Sequence, residues 1–229
     1  MDATAATSAV ELFPALETLG IVRHGFVRRI PGIDVVTDRS AALARLEQVH
    51  RSIRVELGLG EIPFATAEQV HGDAVAAIEK PLSSDFCFDQ VDGLITSQSG
   101  VSLGIYVADC CAVFLVDPIA RVIALVHSGR KGTELGIATK TIEKMQENFG
   151  SRPADLVVQL SPCIRPPHYE IDFAAEIVRQ VRAAGVREVR DSGRCTACDL
   201  TNYYSYRAEK ARTGRMLALL ALLALQGSD

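Results

Sequence analysis

Residues 107–132 read VADCCAVFLVDPIARVIALVHSGRKG, and this stretch decides the fold. It holds two apolar runs, each too short for a helix, joined by Asp117-Pro118, so two buried strands are expected. Cys110 stands just before the first run and His127 at the end of the second. A thiol and an imidazole at the ends of neighbouring strands are placed to meet in space. Ser128-Gly129-Arg130-Lys131-Gly132 follows directly and opens a helix. Unpaired backbone N–H groups at a helix N-terminus, with Arg130 and Lys131 beside them, make an anion seat. Metal or nucleophile chemistry beside an anion pocket is the first functional expectation.

Working outward, 229 residues with 48% hydrophobic content suffice for one sizeable domain over residues 1–229, with 1–18 as a loosely ordered N-terminal segment. The balance of 24 basic and 28 acidic residues argues against a nucleic-acid partner. The first ten residues lack the positive start and apolar run of a signal peptide, and the most apolar run, 216–225, is short of a bilayer span. A cytoplasmic protein with no membrane partner is therefore expected. In that setting the six cysteines read as thiols, ligands or buried small residues rather than disulfides.

Residues 21–29 predict a strand closed by Pro31-Gly32, and Ser40 caps a helix that runs to Leu57 and ends at Gly58. Strands are expected over 65–70 and 74–78, flanking His71-Gly72-Asp73, and again over 94–96 and 101–107. After Gly132, the stripe Leu135, Ala138, Ile142, Met145 and Phe149 predicts one amphipathic helix ended by Gly150. A strand over 156–160 and a helix over 173–184 follow, and Asp199 caps a segment through Tyr203, Tyr206 and Arg207. The run MLALLALLAL suits a helix by composition and a buried strand by length. Strands and helices without regular alternation predict an α+β fold, a layered domain of mixed sheets flanked by helices.

Of the five histidines, His50 lies among polar residues of the first helix and reads as a solvated surface group. His24 is explained by local structure as well as by function, and His168 by packing in a Pro-rich loop. His71 and His127 stand at strand ends close to glycines, where backbone approaches a ligand closely. With Cys110 they make a three-ligand zinc set that leaves a fourth position for water, and the same ligands accept copper. Asp109 serves as a proton shuttle only if the chain turns there, because consecutive strand residues face opposite ways; otherwise it is structural. Cys195-x-x-Cys198 has metal-pair or redox spacing but no companion pair, which favours a structural role. Cys163 lines a pocket or packs, and Tyr169, Tyr203 and Tyr206 stack on a base or form core edges.

The segments QVHG (69–72), DG (92–93), ADC (108–110), HSG (127–129), SPCI (161–164), YE (169–170), CTAC (195–198), SYR (205–207) and TGRM (213–216) occur in one order. In this the chain resembles the YfiH-like family, known as laccase-like polyphenol oxidases and as purine nucleoside phosphorylases. The resemblance implies one α/β domain of layered mixed sheets, zinc on His71, Cys110 and His127, and a phosphate or substrate contact at Arg29. It implies phosphorolysis of adenosine, inosine and methylthioadenosine together with deamination of adenosine, so the partners are a nucleoside and phosphate. Arg29, Arg130 and Lys131 are the cations that would bind phosphate. Three other readings stand beside this one: a copper polyphenol oxidase, a cysteine hydrolase editing a peptidoglycan precursor, and a zinc-stabilised binding protein. Multicopper clusters need many imidazoles, often as His-x-His pairs, and this chain has none of those pairs.

Overall fold

The computed structural model describes residues 9–224. In chain order the elements begin β1 (Val10–Glu11), α1 (Pro14–Glu17), β2 (Val22–Val27), α2 (Arg39–Glu56), β3 (Phe64–Ala67), β4 (Val75–Ile78) and β5 (Phe86–Phe88). There follow β6 (Gly93–Thr96), β7 (Ser102–Val107), β8 (Cys111–Asp117), β9 (Val122–Ser128), α3 (Arg130–Glu134) and α4 (Ile137–Phe149). The chain closes with β10 (Val157–Leu160), α5 (Phe173–Ala183), β11 (Glu188–Asp191) and β12 (Met216–Leu222).

The two expected strands of the central stretch are β8 and β9, paired antiparallel with Ala112 opposite His127 and Cys111 opposite Ser128. Asp117 closes their turn by accepting from the N–H groups of Ile119 and Ala120, both at 2.9 Å. Every residue of both strands is buried, because each face of their sheet is covered. Alternation shows how: Ala112, Phe114 and Val116 face one core, and Cys111, Val113 and Leu115 another.

The described residues form two mixed sheets of six strands, ordered β1-β2-β12-β7-β3-β5 and β11-β10-β8-β9-β6-β4. Their inner faces meet through Phe26, Leu103, Ile105 and Leu220 on one side and Leu94, Phe114 and Leu125 on the other. Helix α2 covers the outer face of the first sheet, Ile53 packing in one cluster with Leu217 and Leu219. Helices α4 and α5 cover the outer face of the second through Ile142, Met145, Ile177 and Val181. The order helix, sheet, sheet, helix is the layered α+β architecture expected. No helix among the described residues is long and apolar enough to cross a membrane.

Several local expectations are corrected. Asp38, not Ser40, caps α2, its Oδ1 accepting from the Ala41 N–H at 3.0 Å. The single helix after Gly132 is two: it starts at Arg130, breaks at left-handed Gly136 (φ 74°), and leaves Leu135 exposed. The leucine-rich run is a strand, β12, over Met216–Leu222, and its last residue, 225, lies outside the described residues. The first eight residues of the loosely ordered segment expected over 1–18 lie outside the described residues; beyond them Val10–Glu11 pairs with β2 and Leu16 is buried.

His50 is not solvated. It is only 3% exposed, and neither ring nitrogen has a hydrogen-bond partner among the described residues. Burial pushes its pKa down to about 4, and does the same to His24, whose Nε2 accepts from the Phe13 N–H. Both groups titrate near 6.5 when unfolded, so the stability they permit is complete above that pH and lost as pH falls toward 4. At about pH 4.5 each buried histidine costs about 2.5 kcal/mol relative to neutral pH. Denaturant unfolding of His50→Leu is accordingly expected to lose about 2.5 kcal/mol less than the parent between about pH 7.5 and about pH 4.5. Equal losses in the two proteins would show that His50 is protonated in the native state.

Candidate metal centre

The three candidate ligands come from three loops at one end of the sheets. The chain leaves β7 at Val107 and turns at Asp109, a non-glycine residue in the left-handed region (φ 83°), so that Cys110 stands at the mouth of β8. Across the β8–β9 ladder, His127 arrives one residue before the end of β9. His71 comes from the β3–β4 loop, where the expected strand over 65–70 stops at Ala67. It stops because Gln69 (φ 62°) and His71 (φ 61°) both turn left-handed, which costs free energy for residues bearing a Cβ.

Asp92, fully buried just before β6, compensates that cost. Its Oδ1 accepts from the His71 N–H (2.9 Å) and from His127 Nδ1 (2.7 Å). Its Oδ2 accepts from the N–H groups of Gly72 (2.7 Å) and Val70 (3.2 Å). Burial alone would raise its pKa, but the bonds from His127, Gly72 and His71 outweigh burial and hold the carboxyl below its ordinary range.

One donor atom from each of His71, Cys110 and His127 lies within 4.8 Å of the others, close enough for the set to hold a metal ion. Burial pushes the Cys110 thiol up, yet the charge and hydrogen bond of His127, with a hydrogen bond from His71, prevail and bring it down to about 6. Burial likewise works against the His127 cation, and the Cys110 thiolate and Asp92 together raise it to about 9. A thiolate and two imidazoles match the donor chemistry of zinc, and of copper. Asp92 holds His127 through Nδ1, which leaves Nε2 for the ion, the usual carboxylate–histidine–metal arrangement.

Gly129 makes room for the sulfur. A Cβ there would lie 2.5 Å from Cys110 Sγ, while its backbone (φ −96°, ψ −165°) suits any residue. Gly129→Ala is therefore expected to fold normally and to lower the metal content of purified protein by about tenfold or more, read by elemental analysis. Parental metal content in that variant would show that Cys110 Sγ can move aside without cost.

The cluster opens into a cavity of about 720 Å³. Arg130 and Lys131 line it as the sequence suggests, although Arg130 is ion-paired with Glu134 at 2.8 Å. Arg29 does not line it. That guanidinium is taken up by Glu209 (2.7 Å), the Tyr203 carbonyl and the face of Tyr204. Three lining cations were not anticipated: Arg39, Arg207 and Arg215. The SYR and TGRM segments contain two of them, which was a usable signal; Arg39, at the start of α2, carried none. Among the described residues Arg39, Lys131 and Arg215 have no ion-pair partner, and burial together with nearby Arg39 lowers the Arg215 pKa.

Tyr169, Phe173 and Tyr206 form aromatic parts of the wall, whereas Tyr203 is buried elsewhere with its hydroxyl on Glu11. Asp109 lines the cavity, and its two oxygens accept from Thr196 Oγ1 and the Arg207 N–H, both at 2.7 Å. The segment behind it differs from expectation: Cys195 and Cys198 form a disulfide, because a short 3-10 turn brings their Cα atoms to 5.2 Å. Cys163 is buried beside Cys195 and does not line the cavity, and His168 is exposed.

A Corynebacterium glutamicum protein named purine nucleoside phosphorylase is 31% identical over 62% of this chain and 68% of its own length. One of the same name from Deinococcus radiodurans is 33% identical over 73% of this chain and 66% of its own. The chain thus spans about two thirds of the length of both. The crystal structure of Bacillus licheniformis hypothetical protein YfiH superposes with a TM-score of 0.77 at 20% identity, covering 88% of this chain and 92% of that one. A family model described as multi-copper polyphenol oxidoreductase laccase matches residues 32–177 and 167–223, a span that contains all three candidate ligands, and the chain accordingly belongs to the YfiH-like family.

Proposed function

We propose that this chain is a zinc-dependent purine nucleoside phosphorylase acting on adenosine, inosine and methylthioadenosine, and that it also deaminates adenosine. The observation that carries the reading is one cavity in which His71, Cys110 and His127 face Arg39, Lys131 and Arg215, cations without a carboxylate partner among the described residues. Such cations suit a multiply charged anion of phosphate size. Tyr169, Phe173 and Tyr206 offer apolar faces for a purine. The names of the two relatives point the same way.

In this reading His71, Cys110 and His127 would hold zinc, which supplies Lewis-acid polarisation at the wall of the cavity. Arg39, Lys131 and Arg215 orient a phosphate oxygen toward the ribose C1′. The C1′–N9 bond breaks as the phosphate O–C1′ bond forms, and the bonding electrons leave with the purine, which takes up a proton. The aromatic walls keep water from competing with phosphate.

The test is metal analysis of tag-free protein, combined with incubation with adenosine in the presence and absence of phosphate. Near-stoichiometric zinc, adenine formed only with phosphate, and inosine as a second product are expected. Zinc-free protein inert toward nucleosides would overturn the proposal. It would favour the cysteine-hydrolase reading, which the depressed Cys110 thiol beside His127 also supports.

A further inference from the structure

We infer that Asp92 is the positioning residue of this centre, one carboxylate that selects the nitrogen His127 presents and holds the strained loop that presents His71. The inference rests on the reading of the cluster as a metal centre. Asp92 is 0% exposed and reaches both histidines with the same oxygen, Oδ1. Its main chain contributes too, since its carbonyl accepts from the His127 N–H at 2.7 Å and its N–H donates to the Ala74 carbonyl at 2.8 Å. The carboxylate is therefore fixed relative to β9 and to the loop between β3 and β4.

An ionised carboxylate only accepts, so the His127 nitrogen facing it, Nδ1, keeps a proton, and the other nitrogen is the one whose proton an arriving ion displaces. The remaining three bonds go to consecutive backbone N–H groups, Val70, His71 and Gly72, of a loop with left-handed non-glycine residues. Gln69 is anchored separately, by the Val91 carbonyl and the Tyr106 main chain, so the Asp92 acceptors are what hold the segment from Val70 to Gly72, and with it the strained His71.

No orientation of an asparagine amide reproduces this pattern. With its NH2 in place of Oδ2, a donor meets the Val70 and Gly72 N–H groups, and the loop is pushed open. With its NH2 in place of Oδ1, a donor meets the His71 N–H and His127 Nδ1. That second orientation moves the His127 proton to Nε2, the nitrogen a metal needs. A residue that merely filled space would tolerate the isosteric change.

The experiment compares the full chain with Asp92→Asn and Asp92→Ala. Zinc affinity is read by competition with a chromogenic chelator, and the His127 tautomer by long-range 1H–15N NMR. In the zinc-loaded parent, His127 is expected to be protonated at Nδ1 and bare at Nε2. Both variants are expected to bind zinc about 10–100-fold more weakly. In Asp92→Asn the His127 signals should show loss of the Nδ1 proton or the His71 signals should broaden. Parental zinc affinity in Asp92→Asn with an unchanged tautomer would overturn the inference. So would a parent protein whose His127 Nδ1 carries no proton, a result that needs no variant to fold. If the parent takes up no zinc, the metal reading fails by itself, and broadening of the His71 signals in zinc-free Asp92→Asn against zinc-free parent still decides whether Asp92 holds the loop, unchanged His71 signals overturning that role.

Discussion

Cys110→Ala is expected to lose its metal and to slow phosphate-dependent cleavage of adenosine by a factor on the order of 10³ or more, while still unfolding cooperatively. Three donor atoms make the cluster, and the thiolate is the only anionic one, so two imidazoles remain when it goes. Lewis-acid stabilisation is worth several kcal/mol in a transition state, and each 1.36 kcal/mol is about tenfold in rate. Folding is spared because Cys110 is only partly buried and stands outside β8, so truncation opens onto the cavity and leaves no closed void. Cys111→Ala is the matched control. Its sulfur lies on the opposite side, bonded to Ser161, in the core under α4 and α5. That variant should lose stability and keep turnover. Cys110→Asp separates metal ligation from nucleophilic catalysis: a carboxylate can hold zinc but cannot replace a thiol nucleophile. Partial retention of zinc and activity in Cys110→Asp supports the metal reading, and complete loss of activity with zinc retained supports the nucleophile.

The meeting of Cys110 with His127 was legible because it depends on a hairpin, whose turn and apolar runs are contiguous in the chain. The approach of His71 was legible only as a third donor of suitable type, since the clamp that places it comes from Asp92, some twenty residues away. His50 was misread although a signal existed. Ala42, Leu46, His50 and Ile53 recur at helical spacing, and all four are buried, so position outweighed the polar character of the neighbours. The cations show the opposite limit. Arg29 and Arg215 are equally basic in sequence, but Glu209 neutralises the first and no carboxylate among the described residues pairs with the second. That distinction is made by contacts between distant segments and has no local pattern. The break at Gly136 was hidden for another reason: Leu135 continues the apolar spacing of α4, while the left-handed glycine rotates it out to solvent.

Leu219→Asp and Leu220→Asp are each expected to prevent soluble folding, which is the largest effect on stability foreseen for any single substitution here. Residues 216–222 of the run MLALLALLAL form β12, held between β2 and β7 in the middle of its sheet. Met216, Ala218, Leu220 and Leu222 face the core between the two sheets, and Leu217, Leu219 and Ala221 face the cluster under α2. A strand covered on both sides loses the polar alternation that would mark it, which is why its composition alone looked helical. Replacing either leucine forfeits about 2–3 kcal/mol of apolar burial and places an unpaired carboxylate where it costs several kcal/mol more. The sum rivals the whole stability of an ordinary domain, about 5–15 kcal/mol. The two substitutions are informative together, because a strand with one wet face would tolerate one of them. Either variant recovered as soluble protein with a Tm within about 5 °C of the parent would place that face of β12 in solvent. It would also unsettle the site, since the last pair of this ladder, Met216 with Val107, fixes the point from which the chain turns to Cys110.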